Sequence, residues 1–134
     1  MTKIRLSRSQ DDLDLPMVCG FISGSYWGKD RRPEDIRKAL AHSYCVSVHD
    51  GPRQVGFARA VSDQVYFGYI MDLFVLHSHR GQGLSHQLVD GLLQHPQLKD
   101  VKGWMLATND AHGLYEKYGF RMVDPSVFMR RNGD

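Results

Sequence analysis

Disulfides, membrane spans and an excess of one charge are all missing from this sequence, and each absence closes off a class of protein. Only two of the 134 residues are cysteines, Cys19 and Cys45. Two thiols cannot build a disulfide framework; they suit a reducing, cytoplasmic setting in which both are buried. No apolar run nears the roughly 18 residues that cross a bilayer. The start, Met1-Thr2-Lys3-Ile4-Arg5-Leu6, lacks a signal-peptide core, so no membrane association is expected. Lys and Arg number 17 against 15 Asp and Glu, a formal net charge of +2. That near-balance leaves no basic sheath for nucleic acid. The cluster Lys29, Arg31, Arg32 is either a solvated loop or a local attractor for an anion or acidic partner. Low-complexity segments, internal repeats and long linkers are also lacking, which points to one domain over residues 1–134.

What is present is an ordinary globular composition, 42% hydrophobic and 24% charged. A chain of this size can bury about two-thirds of its unfolded surface. Ile4 and Leu6 alternate with polar residues as a short strand does. Leu13, Val18, Phe21 and Ile22 recur at near-helical spacing over Asp11–Ile22, provided that Pro16 lies in the first turn. Pro33-Glu34-Asp35 suits the opening of a second helix. Cys45–Val48 and Gln54–Ala58 flank Asp50-Gly51, a hairpin signal. Val65–Leu76 reads as a long strand rich in β-branched and aromatic residues. A helix over Gly83–Leu93 follows, with Leu84, Leu88, Val89, Leu92 and Leu93 on one face. Val101–Thr108 reads as another strand, then a short helix over Ala111–Tyr118, N-capped by Asn109 or Asp110 and stopped at Gly119. Phe120–Val123 and Val127–Arg130 complete the count as two final strands. The order predicts an α+β fold: a mixed, mostly antiparallel sheet of six to seven strands flanked by about four helices.

The segment Arg80-Gly81-Gln82-Gly83-Leu84-Ser85 falls where a buried strand gives way to a helix. Glycines there let backbone approach a ligand, and the unpaired N–H groups of the helix start form an anion site. Arg80 adds a bidentate phosphate donor. On local physics this is either a pyrophosphate cradle or a purely structural turn. A dinucleotide fingerprint would need a third glycine, and a Walker loop would need Gly-Lys-Ser/Thr; neither is present.

With the preceding strand Asp72–His79, this loop resembles the acetyl-CoA signature of the GNAT superfamily of N-acetyltransferases, Gln/Arg-x-x-Gly-x-Gly/Ala. Arg80 and Gly83 match it, and Ser85 stands in for the last small residue. A second block, Ala111-His112-Gly113-Leu114-Tyr115-Glu116-Lys117-Tyr118-Gly119-Phe120, is similar to a further segment of the same superfamily. The resemblance runs over nearly the whole chain and implies a single GNAT-like domain. It implies that strand residues Leu73, Phe74 and Val75 pair with the pantetheine arm and that loop residues Arg80, Gly81, Gln82, Gly83, Leu84 and Ser85 hold the pyrophosphate. It also implies that Tyr115 protonates the departing CoA thiolate; packing alone is the other reading of that ring. Where many relatives carry a pantetheine-contacting asparagine this chain has Thr108, so Asn109 or Asp110 takes that contact.

The remaining candidates are less sharply defined. Asp72 is an acid in an apolar strand and a candidate base, although strict alternation puts it on a face with Ile70 and Phe74. A structural acid is the alternative. The resemblance places Phe21, Tyr26 and Trp27 at an acceptor-binding loop, with core packing as the rival role. Arg59 would grip an acidic acceptor or pair with Asp63. His77, His79 and His86 lack matching acid or cysteine ligands, so no metal site is expected. The resulting expectation is an acyltransferase that uses acetyl-CoA as co-substrate. It would move acetyl directly to a primary amine of a small molecule or peptide in a ternary complex. The alternative is a catalytically inactive CoA-binding sensor or partner protein. A homodimer is compatible with either.

Overall fold

In a computed structural model that describes residues 3–133, the alternating and β-branched runs form five strands: β1 (Ile4–Ser7), β2 (Tyr44–Asp50), β3 (Arg53–Ser62), β4 (Gly68–Val75) and β5 (Trp104–Leu106). They lie side by side in chain order. The first four are antiparallel neighbours, with α1 and α2 inserted between β1 and β2, and β2–β3 is turned by Gly51, whose φ of 58° is the left-handed value this turn requires. β5 pairs with β4 in parallel, so a crossover must join them, and helix α3 (Leu84–Leu93) provides it. Helices α1 (Leu15–Ser23), α2 (Pro33–Ala41) and α4 (His112–Glu116) complete the α+β architecture. Pro16 does sit in the first turn of α1, and the Asp14 carboxylate accepts from the Met17 amide at 3.2 Å.

The sheet buries a different core on each face. Val46, Val48, Ala58, Ile70 and Val75 meet Leu84, Leu88 and Leu92 of α3 on one side. On the other, Cys45, Phe57 and Phe74 meet Val18 and Ile22 of α1 and Ile36 and Leu40 of α2. Both cysteines are free and buried. Burial pushes the Cys45 thiol up to about 11, against the opposing effect of Arg59.

Several sequence expectations need correcting. Among the described residues the sheet has five strands, not six to seven, because Phe120–Val123 and Val127–Arg130 enter no ladder. Asp124 instead accepts from the Ser126 amide at 2.9 Å and caps a 3₁₀ turn, Pro125–Val127. β4 begins at Gly68 instead of Val65. The Asp63 carboxylate collects the amides of Val65, Tyr66 and Phe67 at 2.8–3.1 Å and holds those residues in a loop. β5 likewise covers only three residues of the expected eight. Helix α4 starts at His112 after the N-cap Ala111, with no side-chain cap from Asn109 or Asp110; Thr108 Oγ1 accepts from the Ala111 amide at 3.1 Å.

Strict alternation also fails within β4. Phe57 pairs with Phe74 and Arg59 with Met71, so Ala58 alone faces both Asp72 and Leu73, a bulge. Asp72 takes φ 57°, a left-handed conformation uncommon for any residue but glycine. The extra residue moves the carboxylate away from the face of Ile70, which belongs to the α3 core. It joins Phe74 on the side of α1 and α2.

Candidate active site

Two parallel strands that separate create the site. β4 and β5 pair only from Gly68–Trp104 to Ile70–Leu106, and beyond Ile70 the β4 edge has no strand neighbour on that side. The edge left open is Met71–Val75, where Leu73, Phe74 and Val75 were expected to meet an extended ligand. Gly68 permits the close pairing at the start, since a Cβ there would lie 2.6 Å from the Trp104 ring. Both strands run out at the same end, and the crevice beyond the carboxyl ends of such strands is a favoured ligand position.

That crevice ends at the glycine loop. Gly81 and Gly83 take φ 79° and 75°, and Gly83 is the N-cap of α3 with no side chain capping it. The first intrahelical bond runs from the Gln87 amide to the Gly83 carbonyl, which leaves the preceding amides of the first turn for an anion. Arg80 folds back so that its Nε donates to the Val75 carbonyl at 3.3 Å, which joins loop to strand and leaves its other donors outside that bond. The loop is also tied to the β2–β3 hairpin by His79 Nε2 and Asp50 Oδ2 at 2.8 Å. Sequence reasoning missed that anchor; the only signal was a histidine close to the loop. The three histidines assemble no metal cluster: among the described residues, no group of three or more potential ligands converges.

Beyond β5, α4 brings Tyr115 to a cavity that it lines with Trp104, Leu106 and Phe120. The ring is buried and packs edge-on against Phe120 at 5.9 Å. Its hydroxyl makes no hydrogen bond within the described residues, yet it is not sealed from solvent. Burial, helped by the negative charge of Asp110, raises the phenol above its ordinary value, so it holds its proton through the neutral range. Tyr118 fixes this helix to α3 by donating from its hydroxyl to the His86 carbonyl at 3.0 Å. Asn109 and Asp110 are exposed in the connection between β5 and α4.

Asp72 lies on the opposite side of the sheet bulge in a charged cluster. One oxygen accepts from Arg31 at 2.8 Å and from the Trp27 indole at 3.0 Å, and the other from Arg59 at 2.7 Å. Arg59 therefore pairs with Asp72 and not with Asp63, and it also donates to Ser43 Oγ at 3.1 Å. Phe21 stacks on Phe74 with centroids 3.9 Å apart, and Tyr26 meets Trp27 edge-on at 5.4 Å. So Phe21, Trp27 and Arg59 converge on the bulge, while Tyr26 is exposed at its rim. Arg31 was the unrecognised member. It had been visible only as part of the Lys29–Arg32 basic cluster.

A strand bulge thus lies beside a splayed parallel pair, and β4 leads into an uncapped, glycine-rich helix start. The model of the acetyltransferase (GNAT) domain matches residues 22–132. A solved structure from Xanthomonas campestris pv. campestris, assigned to the GNAT family, is 38% identical with a TM-score of 0.92, covering 99% of this chain and 95% of that one. Serotonin N-acetyltransferase 2, chloroplastic, from Oryza sativa subsp. japonica is 35% identical over 103 residues, 72% of this chain. A Clostridium acetobutylicum acetyltransferase determined with acetyl-CoA shares the fold at 16% identity, with a TM-score of 0.69 over 98% of this chain and 96% of that one. The chain belongs to the GNAT acetyltransferase family. It spans about half the length of two curated relatives that it matches, 51% of one and 53% of the other.

Proposed function

We propose that this domain transfers acetyl from acetyl-CoA to a primary amine by direct attack within a ternary complex. The observation that carries the reading is the pairing of the open β4 edge with the uncapped start of α3. The edge offers main-chain partners to an amide-containing arm, and the helix start offers amides to a pyrophosphate. Leu73, Phe74 and Val75 then take the pantetheine, Arg80 to Ser85 the phosphates, and Asn109 or Asp110 the far rim of the crevice. The amine nitrogen attacks the thioester carbonyl, backbone donors stabilise the oxyanion, and the sulfur leaves as Tyr115 gives up its proton. The phenol that retains its proton at neutral pH supports that role.

Phe21, Tyr26, Trp27 and the Arg31–Asp72–Arg59 cluster form the acceptor side. Both Asp72 oxygens are already engaged by donors, which favours a positioning role and leaves water to carry away the amine proton. The name of the rice relative, a serotonin N-acetyltransferase, supports an amine acceptor as a class. The test is a free-thiol release assay with acetyl-CoA over a panel of amines and peptides. Release should depend on an amine, and Tyr115→Phe should lower kcat by about a hundredfold or more while acetyl-CoA affinity holds. Tight acetyl-CoA binding with no release across the panel would identify a CoA sensor instead.

A further inference from the structure

The charged cluster at the β4 bulge is short of negative charge. Asp72 sets one carboxylate between two guanidinium groups, Arg31 Nη1 at 2.8 Å and Arg59 Nε at 2.7 Å. The side chains of Asp72 and Arg59 are buried, so water screens the surplus positive charge poorly. Asp35 is the other acid nearby, but it is 69% exposed and turned onto Arg32 at 3.6 Å. In that solvated position it offsets little of the buried charge. Arg31, Arg59, Asp35 and Asp72 together line a cavity of about 290 Å³, whose apolar wall is Ile36, Ala39 and Leu40 of α2. That volume suits a small molecule.

Both arginines keep donors in hand. Arg59 engages Asp72 through Nε and Ser43 through Nη1, and Arg31 engages Asp72 through Nη1. The Nη2 groups of both, and Arg31 Nε, make no hydrogen bond within the described residues. Yet no sealed side-chain nitrogen or oxygen among those residues lacks a partner, so these donors reach open space, and the cavity is the space that both arginines line. Guanidinium donors match the planar fork of a carboxylate. One surplus positive charge answers a monoanion and repels a polyamine. Asp72 is the chain neighbour of Leu73 on the open β4 edge, so an acid held by the cluster presents a nitrogen to that edge only where the two groups are a few bonds apart.

We infer that the acceptor carries its own carboxylate: an α-amino acid with an apolar side chain, its acid gripped by Arg31 and Arg59 and its side chain against Ile36, Ala39 and Leu40. This rests on the acetyl-transfer reading, and two measurements keep the fates of the two apart. In thiol release, L-alanine, L-leucine and L-phenylalanine are each compared with their amides and with the amines that lack the carboxyl group. At least one acid should exceed both of its neutral counterparts in kcat/KM by about tenfold or more. Arg31→Gln, which leaves Asp72 its bonds to Arg59 and Trp27, should move that ratio toward one. In calorimetry with CoA present, the corresponding N-acetyl acid should bind at least about tenfold more tightly than its N-acetyl amide. No thiol release with any amine, together with that binding preference, would uphold the carboxylate site and end the transfer reading. Neutral amines acetylated as well as the acids, equal binding of acid and amide, or no binding of any of the three N-acetyl acids would each overturn the carboxylate site.

Discussion

At the scale of single residues, two polar groups of the candidate site are held in opposite ways. Tyr115 is a neutral phenol kept from ionising by burial first and by the Asp110 charge second. Because its pKa rises on folding above the ordinary 10.0, its contribution to stability is present below that pH and fades as pH climbs through the folded value. Asp110→Asn removes the smaller cause only. An ultraviolet titration referenced to Tyr115→Phe should find the Asp110→Asn phenol titrating lower than wild type but still above 10.0. Asp72 is the reverse case, a carboxylate whose side chain is 2% exposed and which balances two arginines. Replacing it by Asn strands the buried Arg59 without a counter-charge and should cost about 3–5 kcal/mol in denaturant unfolding. Unchanged stability would mean that the cluster is solvated in solution. Neither partner was visible from local sequence. The Arg59–Asp72 contact spans 13 residues, Arg31–Asp72 spans 41, and only the bulge brings them together.

At the scale of elements, the turn from β4 into α3 was the most legible part of the chain. Glycines at a strand-to-helix junction have few uses, and the φ of 75° at Gly83 accounts for the glycine chosen there. A Cβ at Gly83 meets no neighbour, so Gly83→Ala isolates the conformational cost from any clash. Left-handed backbone costs an alanine about 1–2 kcal/mol, enough to tilt the loop toward another conformation. Acetyl-CoA affinity measured by calorimetry should fall by about tenfold, with a smaller effect on melting temperature. Equal affinity in the variant would remove the loop conformation from cosubstrate binding. The short elements were misjudged for a shared reason. At β4 and β5 side-chain capping by Asp63 and early splaying end the ladder sooner than hydrophobic runs suggest, and at α4 the Thr108 hydroxyl holds the Ala111 amide just before a helix start that no side chain caps.

At the scale of the whole molecule, two cores on opposite faces of one sheet divide the labour. The α3 face is a continuous aliphatic core with Leu88 at 0% exposure. Leu88→Ala should therefore cost about 2–5 kcal/mol of unfolding free energy. Because the α1 and α2 side is a separate cluster, the contacts of Trp27 and Arg31 with Asp72 should survive, as Trp27 fluorescence under native conditions can check. A loss below that range would mean that the face repacks around the missing side chain.

The sequence by itself determined the order of the elements through α4, the glycine turn into α3 and the short helix that carries Tyr115. These depend on local features: periodicity, glycine at a junction, proline in a first turn. Tertiary structure alone decided the Asp72 bulge, the pairing of Arg59 and Arg31 with that acid, and the fate of the last two expected strands. A bulge is set by how many residues the neighbouring strand offers, and an ion pair by which elements meet. A strand forms only where an edge is available to it. For residues 127–130 the chain carries the strand pattern, but its own fold leaves that edge unfilled.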